Sequence, residues 1–211
     1  MTELDVETPN GPARAYVHPA DRPRAALILG HGAGGGVSAP DLVAVTEVAL
    51  AEGFSVALVE QPYRVAGRRS PAPTAQLDAA WTAVVDDLRA DELNGLPLVT
   101  GGRSSGARVA CRTAEASGAA GVLCLAFPFQ PPRRAGREPA PTRLPELDAV
   151  TVPVLVVQGK RDQFGIPPAG PKRTVTLVPG NHSLRTDLQA VKAAARAWLR
   201  LLNARQAAAR S

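Results

Sequence analysis

The sequence contains few cysteines, and this argues against two classes of protein: disulfide scaffolds and proteins with a cysteine metal site. Its 211 residues contain two cysteines, too few for a disulfide scaffold, and their spacing does not match a metal site. Cys111 falls in a predicted helix and Cys124 in a predicted strand. We therefore expect two buried, reduced thiols in a cytoplasmic protein.

Long apolar runs are also missing. The longest one, residues 121–127, is far too short to cross a bilayer, so no membrane association is predicted. The first 19 residues have neither a basic start nor an apolar core, and we expect no signal peptide. With 45% hydrophobic and 20% charged residues, the composition is typical of a soluble globular protein. We predict a single domain over residues 1–211.

Aromatic residues and runs of like charge are scarce too. Aromatic side chains make up 4% of the chain, and the net charge of +5 comes from 24 basic and 19 acidic residues without a run of five like charges. Nucleic-acid-binding surfaces cluster basic residues and interleave them with aromatic ones. We therefore predict no nucleic-acid partner, and we make no prediction of oligomeric state.

Apolar runs alternate with amphipathic segments along the chain. We predict strands at residues 26–29, 54–60, 97–100, 121–127, 153–159 and 174–178, and a hairpin-like region around His18. Apolar residues at helical spacing predict helices around residues 42–49, 77–88, 105–117 and 188–202. Gly53 is a natural stop for the first helix, and Thr74 is a candidate cap for the second.

This alternation predicts an α/β fold with a mostly parallel central sheet and helices on both faces. Segment 129–147 differs, because it is rich in proline and arginine, and we predict that it forms an excursion over the edge of the sheet. The sequence contains no long helical insertion of the kind that forms a cap domain. Sites in such folds lie at the carboxyl ends of strands, where each motif described below falls.

The stretch GRSSG, Gly102–Gly106, fits the pattern G-x-S-x-G with Ser104 at its centre. It lies between a predicted strand and a predicted helix, as a nucleophile elbow does. Strand and helix approach so closely in that turn that only glycine fits two residues before and after the serine. Centring the pattern on Ser105 fails, because Arg103 and Ala107 would occupy the glycine positions. Ser104 is the candidate nucleophile, and a plain glycine-serine loop is the alternative.

A serine nucleophile needs a histidine base, and the base needs an acid that orients it. Of three histidines, only His182 follows Ser104, and hydrolases with this elbow run in the order serine, acid, histidine. Asp162 comes directly after a predicted strand, whereas Glu146 and Asp148 precede that strand. We predict Asp162 as the acid and His182 as the base. The alternatives are a turn or salt bridge for Asp162 and a helix-capping role for His182.

The glycine-rich stretch 30–36, GHGAGGG, is the candidate oxyanion loop. We predict the backbone N–H of Ala33, or alternatively of Gly34, as one oxyanion donor and the N–H of Ser105 as the other. His31 is expected to brace this loop through a structural hydrogen bond, with contact to a substrate as the alternative.

The same stretch also contains G-x-G-x-x-G, the pattern of a dinucleotide-binding loop. Glu60 closes the next predicted strand, where such folds place a ribose-binding acid. The interval from Gly35 to Glu60 is longer than the usual spacing of about 20 residues, and this interpretation leaves Ser104 and its partners unexplained. A dinucleotide-binding oxidoreductase is kept only as an alternative.

Four segments, LGHGAGGG, GGRSSGAR, VQGKRDQFG and GNHSL, resemble the corresponding parts of the α/β-hydrolase superfamily. PYRVAGRR (62–69), with GGRS and FPFQPP, is similar to the narrower family of testis-expressed protein thirty-like hydrolases, with dienelactone hydrolases as more distant relatives. The resemblance spans roughly residues 12–202. It implies the α/β-hydrolase fold with a minimal cap or none, with Ser104 as nucleophile, Asp162 as acid and His182 as base. Dienelactone hydrolases usually carry cysteine where this chain has Ser104.

Together these patterns predict a serine hydrolase that cleaves an ester or related acyl bond of a small molecule through an acyl-enzyme, with no metal and no cofactor. The second function class is a non-catalytic protein-binding module on the same fold. Such modules typically lack a triad residue, and all three are present here.

Arginines near predicted strand ends are candidates for the selection of an anionic substrate. They are Arg64, Arg68, Arg69 and Arg103, together with Arg133, Arg134 and Arg137 in the proline-rich segment. Solvated or salt-bridged arginines are the alternative.

Overall fold

The computed structural model describes residues 1–131, 138 and 140–208, so Arg133, Arg134 and Arg137 lie outside the described residues. The strands are Thr2–Val6 (β1), Ala13–His18 (β2), Ala25–Gly30 (β3), Phe54–Glu60 (β4), Leu98–Arg103 (β5), Gly121–Leu125 (β6), Val154–Gly159 (β7) and Arg173–Val178 (β8). The helices are Pro40–Ala51 (α1), Pro62–Val65 (α2), Thr74–Ala90 (α3), Ser105–Arg112 (α4), Leu144–Asp148 (α5) and Leu188–Ala208 (α6).

The strands form one sheet in the order β1-β2-β4-β3-β5-β6-β7-β8. Strands β3 to β8 pair in parallel, whereas β2 pairs antiparallel with both β1 and β4. The α/β fold and the mostly parallel sheet predicted from the sequence are therefore confirmed. Register aligns Gly30 at the end of β3 with Gly102 in β5, so the loop after β3 emerges beside the candidate elbow.

Helices cover both faces of the sheet, which explains the continuous apolar strands. On one face, α1 and α6 pack together over β3, β4 and β7 through side chains such as Val45, Val191 and Leu199. On the other face, α3 buries Trp81 against β3 and β4, and α4 and α5 cover β6 and β7. Cys111 and Cys124 are both buried and unlinked in this second layer, with their sulfurs 3.5 Å apart.

Several boundaries differ from the predictions, each for a local reason. The strand predicted over 121–127 ends at Leu125, because Ala126 takes a positive φ of 49°. The helix predicted over 105–117 ends at Arg112, and the chain then turns through Gly118, at a φ of +59°, to enter β6. Thr74 is not a cap: it begins the helix after Pro73, and no side chain caps that end.

The described part of segment 129–147 is anchored to the body of the protein, and its end belongs to the unpredicted helix α5. Gln130 N–H donates to the Phe164 carbonyl in the loop after β7, whereas Arg143 N–H donates to the Phe129 carbonyl within the segment itself. At four and five residues, α2 and α5 are too short to show a helical apolar period.

No helix among the described residues is both long enough and apolar enough to cross a membrane.

Candidate active site

Ser104 occupies the sharp turn between β5 and α4. Its φ of 52° and ψ of −105° lie where a residue with a side chain is strained, as in a nucleophile elbow. Its N–H donates to the Leu125 carbonyl at 2.9 Å, which ties the turn to the neighbouring strand β6. The turn leaves the serine hydroxyl at the carboxyl edge of the sheet.

The glycines on either side of Ser104 are required by close backbone contacts. A Cβ on Gly102 would lie 2.5 Å from the Gly30 carbonyl oxygen, and a Cβ on Gly106 would lie 2.3 Å from the same oxygen. Gly106 N–H also donates to the His31 carbonyl at 3.1 Å. The spacing G-x-S-x-G therefore allows β5 and α4 to pack directly against the end of β3.

The structure brings Ser104, His182 and Asp162 together in one chain of hydrogen bonds. His182 Nε2 lies 2.9 Å from Ser104 Oγ, and His182 Nδ1 lies 2.8 Å from Asp162 Oδ2. The Asp162 side chain is fully buried, and the His182 side chain is 18% exposed. An ionised carboxylate can only accept, so Nδ1 carries the ring proton and Nε2 accepts from the serine hydroxyl.

Backbone contacts hold the loops of Asp162 and His182 against each other. A Cβ on Gly159 would lie 2.4 Å from the Asn181 carbonyl oxygen, so glycine is needed where β7 ends. Arg161 N–H donates to the Gly180 carbonyl at 2.9 Å. Helix α6 has its own N-terminal hydrogen bond, from Ala190 N–H to Asp187 Oδ1, so His182 does not cap it.

Gln158 is a site residue that the sequence analysis missed. Its Nε2 lies 2.8 Å from Asp162 Oδ2, 3.0 Å from the Phe127 carbonyl and 2.9 Å from the Gly165 carbonyl. Three surrounding acceptors identify this atom as the amide nitrogen, whose two hydrogens they share. The sequence could have indicated Gln158, because it is a polar residue inside the otherwise apolar strand β7.

Phe164 is a second site residue that the sequence analysis missed, and it contacts both the acid Asp162 and the base His182. Its N–H donates to Asp162 Oδ1 at 2.9 Å. Its ring meets the His182 imidazole edge to face, with the ring centroids 4.4 Å apart. The carboxylate is thus oriented on both oxygens, and the imidazole is packed on one side.

His31 braces the loop after β3 from within. The residue is 3% exposed, Nδ1 donates to the Gly32 carbonyl at 2.8 Å, and Nε2 accepts from Gln61 N–H at 3.1 Å. Burial lowers the pKa of His31, which keeps the ring neutral in this arrangement. Both nitrogens are engaged, so the ring has no polar atom left for a substrate, and its geometry corresponds to the predicted bracing role.

The hydrogen bond from His31 also orients the N–H of Ala33. Carbonyl and N–H of a trans peptide point in opposite directions, so holding the Gly32 carbonyl directs the Ala33 N–H away from the ring. The next peptide is held in the same way, because Tyr63 Oη donates to the Ala33 carbonyl at 2.9 Å. Burial raises the pKa of Tyr63 to about 12, which keeps the phenol a donor. Within the described chain, neither Ala33 N–H nor Ser105 N–H has a protein acceptor.

The candidate arginines fall into two groups. Arg103 is engaged inside the protein, with Nε 2.9 Å from Asp41 Oδ2 and Nη2 donating to the His182 carbonyl at 3.0 Å. Arg64, on the short helix α2, is half-buried and reaches the Arg68 carbonyl at 3.4 Å. Arg68 and Arg69 are exposed just beyond α2.

Glu146 and Asp148, the two carboxylates that the sequence did not favour as the acid, form ion pairs with other residues. Glu146 pairs with Arg108 and Asp148 pairs with Arg173.

The dinucleotide-binding alternative is not supported by the course of the chain. A dinucleotide-binding glycine motif opens directly into a helix, but α1 begins only at Pro40, after the loop has turned beside Ser104. The glycine-rich loop instead contacts the elbow, since a Cβ on Gly32 would lie 3.5 Å from the Ser104 Cβ.

One cavity among the described residues is remote from Ser104. It has a volume of about 740 Å³ and is lined by residues that precede β3, β4 and β5 and by the end of α6, at the opposite edge of the sheet. Among the described residues, no group of three or more histidine, cysteine, aspartate or glutamate side chains is placed to hold a metal ion.

Comparison with known proteins agrees with this architecture. Residues 23–202 match the family model described as an alpha/beta hydrolase domain. A serine hydrolase without a lid from Xanthomonas campestris superposes with a TM-score of 0.76 at 19% identity, covering 94% of this chain and 93% of that one. Est1E from Butyrivibrio proteoclasticus gives a TM-score of 0.75 at 17% identity, covering 97% and 100%. No curated protein sequence matches the chain significantly.

An eight-stranded, mostly parallel sheet with a serine elbow at its carboxyl edge defines the class of α/β hydrolases. Because the family model spans most of the chain, this protein belongs to the α/β-hydrolase family.

Proposed function

We propose that this protein is a serine hydrolase that cleaves an ester or related acyl bond of a small molecule through an acyl-enzyme. The observation that carries the proposal is the hydrogen-bonded chain from Asp162 through His182 to Ser104, with contacts of 2.8 Å and 2.9 Å. Membership of the narrower family of testis-expressed protein thirty-like hydrolases, which the sequence resembles, is part of this proposal.

In the first half of the reaction, Ser104 Oγ attacks the carbonyl carbon of the substrate while its proton passes to His182 Nε2. Asp162 holds the imidazole in the required tautomer and stabilises the imidazolium that forms. When the tetrahedral intermediate collapses, the bond to the leaving group breaks, and His182 returns the proton to the departing oxygen. The acyl group remains on Ser104.

In the second half, water replaces the leaving group. His182 Nε2 takes a proton from the water as its oxygen attacks the acyl carbon, and then returns the proton to Ser104 Oγ as the acid product leaves. His182 is neutral again at the end of each half, and Ser104 regains its proton at the end of the second, so the protons balance over the cycle with water as the only other reactant.

Two backbone N–H groups are proposed to stabilise the negative oxygen of each intermediate. They belong to Ser105, at the start of α4, and to Ala33, whose peptide is oriented by His31; Gly34 N–H is the alternative to Ala33. Their lack of protein acceptors within the described chain supports this assignment. Ser105 acts here through its backbone only, so its side chain is dispensable.

A small, soluble ester is the substrate class that we favour. The described residues between β6 and β7 contain one helix, the five-residue α5. These described residues therefore form no helical cap that could enclose a long substrate. Est1E is also known with bound ferulic acid, and another structural relative is an esterase domain from Rhodothermus marinus. These relatives support a carboxylic ester as the first compound class to screen.

The test is intact-mass detection of a fluorophosphonate adduct on the wild type, Ser104→Ala and Ser105→Ala. We expect one adduct on the wild type and on Ser105→Ala, and none on Ser104→Ala, because only an activated serine attacks the reagent. Ser105→Ala is the matched control, since it removes a neighbouring hydroxyl and keeps the backbone donor.

A folded wild type without an adduct would overturn the proposal, and the non-catalytic binding module would then take its place. An adduct that persists on Ser104→Ala would show that the wrong nucleophile has been assigned.

A further inference from the structure

Arg103 stands directly before Ser104, yet its side chain turns back into the protein. Its Nη2 donates to the His182 carbonyl oxygen at 3.0 Å, and its Nε lies 2.9 Å from Asp41 Oδ2. Only 18% of the Arg103 side chain is exposed. One guanidinium therefore connects the elbow, the histidine loop and the start of α1.

Asp41 is completely buried, which makes this contact more than a surface salt bridge. Its Oδ1 accepts from the Leu42 N–H at 3.1 Å, whereas its Oδ2 receives no directed N–H and faces Arg103 as an ion pair. Burial raises the pKa of Asp41, and the neighbouring Arg103 charge opposes that rise. A buried carboxylate left without its cation is strongly unfavourable, so Asp41 holds the guanidinium in place.

The guanidinium also lies against the loop after β3. A Cβ on Gly32 would come within 2.9 Å of Arg103 Nη1. Gly32 precedes Ala33, the proposed oxyanion donor, so Arg103 contacts the elbow and both loops that complete the site.

We infer that Arg103, held by Asp41, is a positioning residue that sets the position of the His182 imidazole between the Asp162 carboxylate and the Ser104 hydroxyl. This inference rests on the proposed function. It assigns Arg103 an internal role in place of the anionic-substrate role considered from the sequence.

The arrangement requires arginine in particular. The planar guanidinium presents donors in several fixed directions, so it bonds the His182 carbonyl and faces Asp41 at the same time. A lysine ammonium is a point charge on a flexible stem and reaches only one of these partners with good geometry. Arg103→Lys should therefore retain the charge and lose part of the positioning.

The test compares Arg103→Lys, Arg103→Met and the double variant Arg103→Met/Asp41→Asn with Arg112→Met. The double variant removes both charges, so it leaves no unpaired buried carboxylate even where the single change prevents folding. Arg112→Met is the matched control, because Arg112 is 17% exposed and pairs with Asp78 and Glu146, and its described hydrogen bonds and ion pairs do not involve Ser104, His182 or the loop after β3.

The activity readouts are the rate of fluorophosphonate labelling and the kcat and KM for p-nitrophenyl acetate. We expect the double variant to lose about 10- to 100-fold in labelling rate and kcat, with KM nearly unchanged, because a misplaced base slows chemistry and not binding. Arg103→Lys should lie in between, and Arg112→Met should match the wild type. A double variant that labels as fast as Arg112→Met would overturn the inference while leaving the proposed function intact.

The second readout is independent of catalysis: the far-downfield proton NMR signal of His182 Nδ1–H, which reports its hydrogen bond to Asp162. We expect the signal in the wild type and Arg112→Met, and its loss or broadening in the double variant. If the wild type is not labelled but the signal changes in this way, the proposed function fails and the positioning role stands. A signal unchanged in the double variant contradicts the inference.

Discussion

Two buried polar side chains, Gln158 and His31, hold other groups of the candidate site through hydrogen bonds. Gln158 is fully buried and keeps Nε2 against Asp162, while its own Oε1 has no partner among the described atoms. An unpartnered buried carbonyl lowers stability. Gln158 nevertheless lies in an otherwise apolar strand. Its contact with Asp162 explains why a polar residue occupies this position.

His31 gives a prediction about stability and pH. Burial, first of all, lowers its pKa, and Arg64 acts in the same direction, whereas the Gly32 carbonyl and Glu60 oppose the change. The unfolded chain binds a proton below the ordinary imidazole pKa of about 6.5, and the folded chain resists it. The free energy of unfolding should therefore be fully retained above that pH and should fall as the pH drops below it.

The measurement is urea unfolding between pH 7 and pH 5 for the wild type, His31→Gln and His18→Gln. His31→Gln should reduce the loss of stability over this range, because glutamine does not titrate. His18 is less buried, so its replacement should change the slope less. A wild-type stability that rises on acidification over this interval would contradict the prediction.

At the scale of elements, close packing of β3, β5 and α4 places the serine. The Gly30 carbonyl lies where a side chain on Gly102 or Gly106 would project, so these elements meet through backbone atoms. The strained Ser104 conformation is held by this contact and by the hydrogen bond to Leu125. The elbow is thus a property of three elements together.

Gly106→Ala tests this packing. Its Cβ would lie 2.3 Å from a backbone oxygen that cannot move without shifting β3. We expect the free energy of unfolding to fall by about 1–3 kcal/mol, as in other overpacked sites. Chemical denaturation measures this, with Gly36→Ala as control, because a Cβ there meets nothing closer than 3.9 Å. Equal stability of the two variants would show that the elbow tolerates a side chain.

At the scale of the whole molecule, exposed positive charge lies at the edge of the sheet that carries Ser104. The net charge is +5, and Arg68 and Arg69 are exposed after α2, at the same carboxyl edge of the sheet as Ser104. Exposed charges act over about 10 Å at 0.1 M salt. Exposed charges of this kind raise the rate at which oppositely charged ligands encounter a protein, without a specific contact.

Replacing Arg68 and Arg69 together with glutamine should therefore separate two kinds of ester. We expect kcat/KM for an anionic ester to fall by up to about tenfold at low salt, with less effect at high salt. The value for a neutral ester of similar size should stay the same. Equal effects on both esters would exclude selection by charge.

Much of this molecule was predictable because the signals are local. Continuous apolar strands and helical spacing reflect constraints between near neighbours, so the parallel sheet could be predicted. The elbow could be predicted because its glycines recur at a fixed short spacing around Ser104, although the contact that requires them is with the distant Gly30 carbonyl. The predicted cap at Thr74 was wrong, since Thr74 is the first helical residue and Pro73 occupies the N-cap position before it. The ends of the third predicted helix and of strand β6 were misplaced, because turns override propensity there.

The order of the elements can be read from the sequence alone, and so can the residue types at their ends: a serine, then an aspartate, then a histidine. Other features became visible only in the folded protein: Arg103 reaches a carbonyl 79 residues away, Asp41 faces it, and Gln158 points at the acid. The difference arises because a helical or strand period is set by neighbouring residues, whereas a contact between distant side chains depends on how every layer of the protein packs.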